Sequence, residues 1–306
     1  MTVWWRHPAA VACGGLRRGP KPLRTGCPQG PSVPRLHVHL VSDSTGETLN
    51  ALASAGLAQF DQVDAVRHFW PMIRARGQLD RVLADIERRP GLVLYTLVAG
   101  ALRERLEETT RRLGVVAVPV LDPVINALGH VLGQGPVARP GRQHVMDAAY
   151  FARVAAIDYT MGHDDGQGAE DWEVADIVLA GVSRTSKTPT SIYLANRGYK
   201  TANIPLVPQS PPPKSLFALK KPLVVGLTTH PERLIQVRRN RLIHLGQTPS
   251  TDYVDEAKVS AEVAYARRLF ADNGWPVIDV TRRSIEETSA AIINLLQERA
   301  EAANGA

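Results

Sequence analysis

Cysteine is nearly absent: Cys13 and Cys27 are the only two in 306 residues. Two thiols near one end exclude a disulfide scaffold and leave too few ligands for a zinc ribbon. No apolar run approaches the roughly 18 residues of a membrane-spanning helix, which argues against an integral helical membrane protein. No short period recurs, against solenoids and propellers. What remains is 44% hydrophobic and 22% charged, an ordinary globular composition with length for one large or two ordinary domains.

Positive charge is also scarcer than the net +6 suggests. Arg6, Arg17, Arg18, Lys21 and Arg24 lie in residues 1–34, which hold no acid, so the rest of the chain carries only +1. A near-neutral body with dispersed charge is not the footprint of a phosphate-backbone binder, and no nucleic-acid partner is expected. The same 34 residues hold five glycines and six prolines without hydrophobic periodicity. Such a segment cannot bury enough surface to offset its chain entropy, so 1–34 is expected to be a disordered, dispensable tail. It lacks the apolar stretch of a secretory signal and, with little serine, fits a transit peptide poorly. A cytoplasmic protein is the expectation.

From residue 36 strand and helix patterns alternate. Leu36–Val41, Val63–Trp70, Leu92–Val98 and Val115–Leu121 read as strands, with helices to Phe60 and over Gln78–Arg88 and Ala101–Leu113. Strands separated by helices of about ten residues imply parallel pairing through crossovers. Residues 35–135 are therefore expected to form one α/β domain. A breaker-rich stretch, Gly133–Arg142, follows. In 136–306 a helix is expected over Asp147–Tyr159, a polar loop over Met161–Gly168 and a buried strand over Val174–Ala180. Further strands are expected near Asn203–Val207, Leu223–Leu227 and Val277–Val280, with helices over 231–243 and 255–273. Ser284-Ile-Glu-Glu287 is a capping box that opens the last helix. The fold class is α/β, in two α/β domains behind the tail, the second with a P-loop-like nucleotide site.

The strongest chemical signal is Gly181-Val182-Ser183-Arg184-Thr185-Ser186-Lys187-Thr188. In a loop of the form G-x-x-x-x-G-K-S/T, backbone N–H groups converge on an anion, the lysine contacts phosphate and the hydroxyl holds Mg²⁺. Gly181, Lys187 and Thr188 match, while Ser186 replaces the second glycine. An apolar strand precedes the loop and a helix follows, adding the positive end of its dipole. An ordinary strand-to-helix turn is the competing reading. His163-Asp164-Asp165 offers a general base and Mg²⁺ ligands, or a solvated acidic turn. Arg139, Arg142 and His144 could meet phosphates or decorate a surface loop. Ser42–Thr48 reads better as an N-cap than as a ligand loop. Arg238, Arg239 and Arg241 form either a basic patch or a solvated helix face.

Long segments in fixed order carry a family resemblance: VSDSTGET (41–48), RPGRQHVMDAAYFARVAAIDYTMGHDDG (139–166), ADIVLAGVSRTSKTPTSIYLANRGYKTANIPLVP (175–208), HPERL (230–234) with NRL (240–242), and GWPVIDVTRRSIEET (274–288). Over 36–300 the chain resembles the pyruvate, phosphate dikinase regulatory proteins and their relatives that regulate phosphoenolpyruvate synthase. The resemblance implies a bifunctional enzyme. It phosphorylates an active-site threonine of a target already phosphorylated on histidine, with ADP as donor, and so inactivates it. It reverses this with inorganic phosphate, releasing pyrophosphate. The nucleotide site falls on Gly181–Thr188, with Lys187, Asp164, Asp165 and His163 as the expected catalytic residues and Thr188 as a Mg²⁺ ligand. Pyruvate, phosphate dikinase is the expected protein partner, and a homodimer is suggested. Open alternatives are the same chemistry on phosphoenolpyruvate synthase, a P-loop small-molecule kinase, and a nucleotide sensor without catalysis.

Overall fold

Residues 35–98, 100–137, 147–246 and 252–304 are described by the structure, a computed structural model. The chain divides between Gln143 and His144 into two units. The expected tail, and Arg139, Arg142 and His144, lie outside the described residues.

In the first unit four strands, β1 (Arg35–Ser42), β2 (Asp64–Trp70), β3 (Leu92–Thr96) and β4 (Val116–Pro119), alternate with α1 (Glu47–Leu57), α2 (Arg76–Arg88) and α3 (Gly100–Arg112), and α4 (Asp122–Leu132) follows β4. All neighbours pair in parallel, in the order β2-β1-β3-β4. The period of two sends Val41, Val93 and Tyr95 to one face, against Leu79, Val82 and Ile86 of α2 and Leu106 of α3. Val38, Leu40 and Leu94 face the other way, onto Leu49 and Ala53 of α1. The alternation read from the sequence thus describes this unit, but α4 was not expected. It opens on Asp122-Pro123, with proline in its first turn, and buries none of its residues within the described structure.

The second unit repeats the plan. Helix α5 (Ala148–Gly162) leads into β5 (Ile177–Gly181), α6 (Lys187–Ala195), β6 (Thr201–Pro205), the short α7 (Lys214–Ala218) and β7 (Leu223–Thr228). Then come α8 (Pro231–His244), α9 (Glu256–Asp272), β8 (Val277–Asp279) and α10 (Ile285–Asn304). The parallel order is β6-β5-β7-β8. Every residue of β5 and β7 is buried, as expected for central strands covered on both faces. Val178, Ala180, Ala202, Ile204 and Val224 pack toward Phe270 of α9 and Leu234 of α8. Ile177, Leu179, Val225 and Leu227 pack toward Leu194 of α6 and Ile292 of α10.

Two sequence expectations shift. The polar loop begins later, because α5 runs through Met161 to Gly162. The buried strand also starts later, at Ile177, after a 3₁₀ turn over Trp172–Val174 whose indole is fully buried. The capping box is as read: Glu287 N–H donates to Ser284 Oγ at 3.1 Å, and Ser284 N–H to the Glu287 carboxylate at 2.9 Å. In both sheets the second strand lies on one side of the first and the third strand on the other. The crevice beyond their carboxyl ends is where open parallel sheets bind ligands.

Candidate active site

Strand β5 ends at Gly181 and α6 begins at Lys187, so residues 182–186 make the turn at that carboxyl edge. Gly181 is required by space. A Cβ there would lie 2.6 Å from the Leu227 carbonyl oxygen and 2.8 Å from Thr185 Oγ1. Ser186, at the N-cap of α6, is left-handed with φ 60° and makes no side-chain cap hydrogen bond. Arg184 is left-handed too, at φ 74°. Two non-glycine residues in this region store roughly 1–3 kcal/mol each, strain that the surrounding contacts must hold.

Those contacts are specific. Thr185, fully buried, donates from Oγ1 to the Val182 carbonyl at 2.9 Å, and Lys187 Nζ donates to the same oxygen at 3.1 Å. Beneath the loop Arg238, 1% exposed, donates to the Ser183 carbonyl at 3.3 Å, to Glu262 Oε2 at 2.6 Å and to the Tyr253 carbonyl at 3.1 Å. The Tyr253 hydroxyl lies 3.2 Å from Ser183 Oγ and accepts from Arg184 Nε at 3.3 Å. Of the three arginines weighed in the sequence, Arg238 is therefore neither patch nor solvated face but a buried prop. Arg239 and Arg241 are exposed on α8.

Lys187 is 5% exposed. Burial pushes its pKa down to about 8, against the pull of the Asp165 and Asp164 carboxylates. It remains an ammonium at neutral pH, beside a cavity of about 260 Å³ also lined by Asp165, Ser183, Arg184, Ser186 and Thr188.

The His163–Asp165 turn meets this loop. Thr188 Oγ1 donates to Asp164 Oδ1 at 2.8 Å. Asn203, wholly buried on β6, donates from Nδ2 to the same oxygen at 2.5 Å and to Ser191 Oγ at 3.2 Å. Its backbone and side chain also hold the turn: Gly166 N–H donates to the Asn203 carbonyl at 2.8 Å, and Asp165 N–H to Asn203 Oδ1 at 3.3 Å. Asp164 is thus committed to a hydrogen-bonded network, while Asp165, left-handed at φ 51°, lines the cavity. His163 stacks on Tyr159 at 3.7 Å between centroids, and its Nδ1 donates to the Tyr159 carbonyl at 2.6 Å. It does not line the cavity. Asn203, Arg238 and Tyr253 are site residues that motif spacing missed. The one hint was an asparagine inside the otherwise apolar strand run Ala202-Asn203-Ile204.

A buried lysine at the head of a helix, hydroxyls around a small polar cavity and a carboxylate hydrogen-bonded to Thr188 suit the binding and transfer of phosphate. Comparison with known proteins agrees. Residues 38–293 match the family model described as kinase/pyrophosphorylase. The chain belongs to the kinase/pyrophosphorylase family. Among its relatives, a protein of Rhizorhabdus wittichii is 66% identical over 265 residues, 87% of this chain and 97% of the relative. One of Sphingopyxis alaskensis is 66% identical over 268 residues, 88% and 99% of the two chains. One of Maricaulis maris is 52% identical over 263 residues, 86% and 94% of the two chains. Each carries the provisional name pyruvate, phosphate dikinase regulatory protein. Membership makes this a kinase and phosphorylase type of enzyme.

Proposed function

We propose that this protein is a bifunctional regulator of pyruvate, phosphate dikinase, moving one phosphoryl group onto and off an active-site threonine of that enzyme. Forward, the threonine hydroxyl oxygen bonds to the β-phosphorus of ADP, AMP leaves with the bridging oxygen, and the hydroxyl proton passes through a carboxylate to solvent. In reverse, an orthophosphate oxygen bonds to the phosphothreonine phosphorus, the threonine oxygen leaves and is protonated, and pyrophosphate is formed. The names of the relatives supply the target. The observation that carries the chemistry is Lys187, a buried ammonium beside the Asp164–Thr188 pair.

Phosphoryl transfer needs positioning and charge neutralisation more than covalent help. Lys187 is assigned to the transferring phosphate, and the backbone of 182–187 with the Ser183 and Ser186 hydroxyls to its remaining oxygens. Asp165, facing the cavity, is assigned to orient the attacking hydroxyl or orthophosphate. The donor set of Thr188 Oγ1, Asp164 and Asp165 consists of hard oxygens, and so fits Mg²⁺. When bound, that ion would neutralise charge on the phosphates. His163, its Nδ1 given to the Tyr159 carbonyl, is left with an anchoring role. Among the described residues no helix is long and apolar enough to cross a membrane, and we place the reaction in the cytoplasm.

The test combines the full chain and ADP labelled on the β-phosphate with histidine-phosphorylated dikinase and, in a parallel reaction, with histidine-phosphorylated phosphoenolpyruvate synthase, the modified residue being mapped by mass spectrometry. Labelled phosphothreonine, removed again by orthophosphate with release of pyrophosphate, is expected. Label on phosphoenolpyruvate synthase alone would move the target, and label on neither protein would overturn the reading.

A further inference from the structure

A second polar cluster, unused by the chemistry above, lies inside the first unit. Successive inward positions of β1 place His37 and His39 on one face. The parallel register sets His68 of β2 opposite His39, and Asp85 of α2 packs over them. His39 is wholly buried and Asp85 is 5% exposed.

The hydrogen bonds decide which atoms carry lone pairs. His39 Nε2 lies 2.9 Å from the Arg89 carbonyl oxygen, which can only accept, so Nε2 holds the hydrogen and Nδ1 is left as an acceptor. Arg89 Nη1, which can only donate, lies 3.5 Å from His68 Nδ1. That nitrogen is therefore an acceptor too, and His68 Nε2 donates to His37 Nδ1 at 2.9 Å. Facing both is Asp85 Oδ2, a buried carboxylate oxygen with no hydrogen-bond partner. It lies 4.0 Å from His39 Nδ1 and 3.7 Å from His68 Nδ1, and the three atoms fall within 4.8 Å of one another.

Three acceptors thus converge with only long donors beside them. Trp70 Nε1 is 3.4 Å from His39 Nδ1, and Arg89 Nη1 is at the 3.5 Å already given. The guanidinium groups of Arg88 and Arg89 engage the other carboxylate oxygen, Oδ1, at 3.5 and 3.6 Å, and leave Oδ2 free. Metal–nitrogen and metal–oxygen bonds of about 2.0–2.2 Å in a tetrahedron set ligand atoms roughly 3.4 Å apart. The carboxylate oxygen lies about 0.3–0.6 Å beyond that spacing from each nitrogen, and the two nitrogens, at most 4.8 Å apart, would approach by up to about 1.4 Å, shared between two side chains. The outer contacts are those of a metal-bound imidazole as well: each ring donates its far N–H to a fixed acceptor, the Arg89 carbonyl or His37.

We propose that His39, His68 and Asp85 form a binding site for a borderline divalent transition cation of the zinc class, tying β1, β2 and α2 together through two nitrogens and one oxygen. The nitrogen-rich set selects against Mg²⁺ and Ca²⁺. This cation is a structural tie and is separate from the ion fitted at Thr188.

The full chain, stripped with a chelator, is titrated with zinc chloride alone. Asp85→Asn and His68→Gln serve as variants, and circular dichroism checks that each is folded. His7, Cys13 and Cys27 could also take zinc, so the quantity read is the binding lost in the variants. One zinc per chain is expected to be lost or weakened at least tenfold in both. Saturating zinc should raise the melting temperature of the unsubstituted chain and not of Asp85→Asn. Cobalt(II) should give tetrahedral absorption bands in the unsubstituted chain that Asp85→Asn lacks. Equal zinc binding by the unsubstituted chain and a folded Asp85→Asn, or none by the unsubstituted chain, would overturn the site.

Discussion

The two units solve one backbone problem with opposite charge. Each sheet has its first strand flanked by the second and third, and each sends that strand through a short turn into a helix. Both helices start from a left-handed N-cap, Gly46 at φ 77° and Ser186 at φ 60°, and neither N-cap side chain caps. After β1 the turn carries Asp43, buried and accepting from Val98 N–H at 2.7 Å, its carboxyl pushed upward by burial. Ser42 Oγ is spent on Ser44 N–H and Thr96 Oγ1. The N-capping expected of Ser42–Thr48 is absent, since Gly46 holds that position. After β5 the turn leads directly into Lys187, the first residue of α6. An inward acid repels phosphate where an inward ammonium attracts it. The shared topology supplies a place, and one side chain decides what can occupy it.

The comparison breaks first at Lys187. Lys187→Ala should lower both the ADP-dependent phosphorylation and the orthophosphate-dependent reversal by about 10³-fold or more, the effect of losing one charge-stabilising donor in a closed site. Initial rates in both directions, with circular dichroism as the fold control, check this. Retained reversal would show that the two directions do not share the β5 turn.

Asn203→Ala comes next. It removes one of the two side-chain donors to the half-buried Asp164, leaving Thr188 Oγ1 as the other, which should slow both directions by roughly 10- to 100-fold. It should also cost about 1–3 kcal/mol of stability, read from denaturant unfolding. A full-rate variant would detach the 163–166 turn from the reaction.

Raising the pH sharpens the contrast in sign. Under the proposed function the ammonium is the form that binds phosphate, and burial lowers the Lys187 pKa to about 8 from its ordinary 10.5. ADP affinity should therefore fall by about tenfold between pH 7 and 9, following the charged fraction. The unliganded protein should instead gain stability as pH climbs from about 8 toward 10.5, because the unfolded chain then binds more protons than the folded one. Calorimetric titration and thermal melts measure the two slopes. Lys187→Arg should flatten both.

Smaller still is Ser186→Gly, which gives the β5 turn the glycine that the β1 turn already has. Relief of left-handed strain, less the greater freedom of glycine in the unfolded chain, should leave a gain of about 1 kcal/mol or less, seen as a melting shift of a few degrees. Smallest is Ser44→Ala with Thr45→Ala, expected to leave both rates within about twofold. Selective loss of the reversal there would place a second phosphate site on the β1 turn.

Much of the fold was legible because the strands carry their own signature. Continuous apolar runs such as Ile177–Gly181, punctuated by helix-length polar stretches, point to parallel pairing before any contact is known. Helix α4 was not legible, because without a buried stripe Asp122–Leu132 offers no period to read. Helix α7 has five residues behind three prolines, too few to show one. Within the candidate site, Lys187 and Thr188 were readable because the strand-turn-helix segment that holds them is local. Asn203 and Arg238 act across 39 and 55 residues of chain, on Asp164 and Ser183 respectively, and only folding reveals such partners. The His163-Asp164-Asp165 triplet shows the limit of adjacency. Three neighbours in sequence face a stacked tyrosine, an asparagine and a cavity.

The 3.1 Å bond from Lys187 Nζ to the Val182 carbonyl carries a consequence for selectivity. The ammonium is docked on the loop's own backbone, so an incoming group must outcompete an internal acceptor. A neutral or weakly charged ligand gains little from that exchange. A terminal phosphate, with two negative charges and several oxygens, gains much more. Under the proposed function the loop would work as a charge threshold, passing over nucleosides, answering to a terminal phosphoryl group or to free orthophosphate, and taking the lysine back once that charge has moved on.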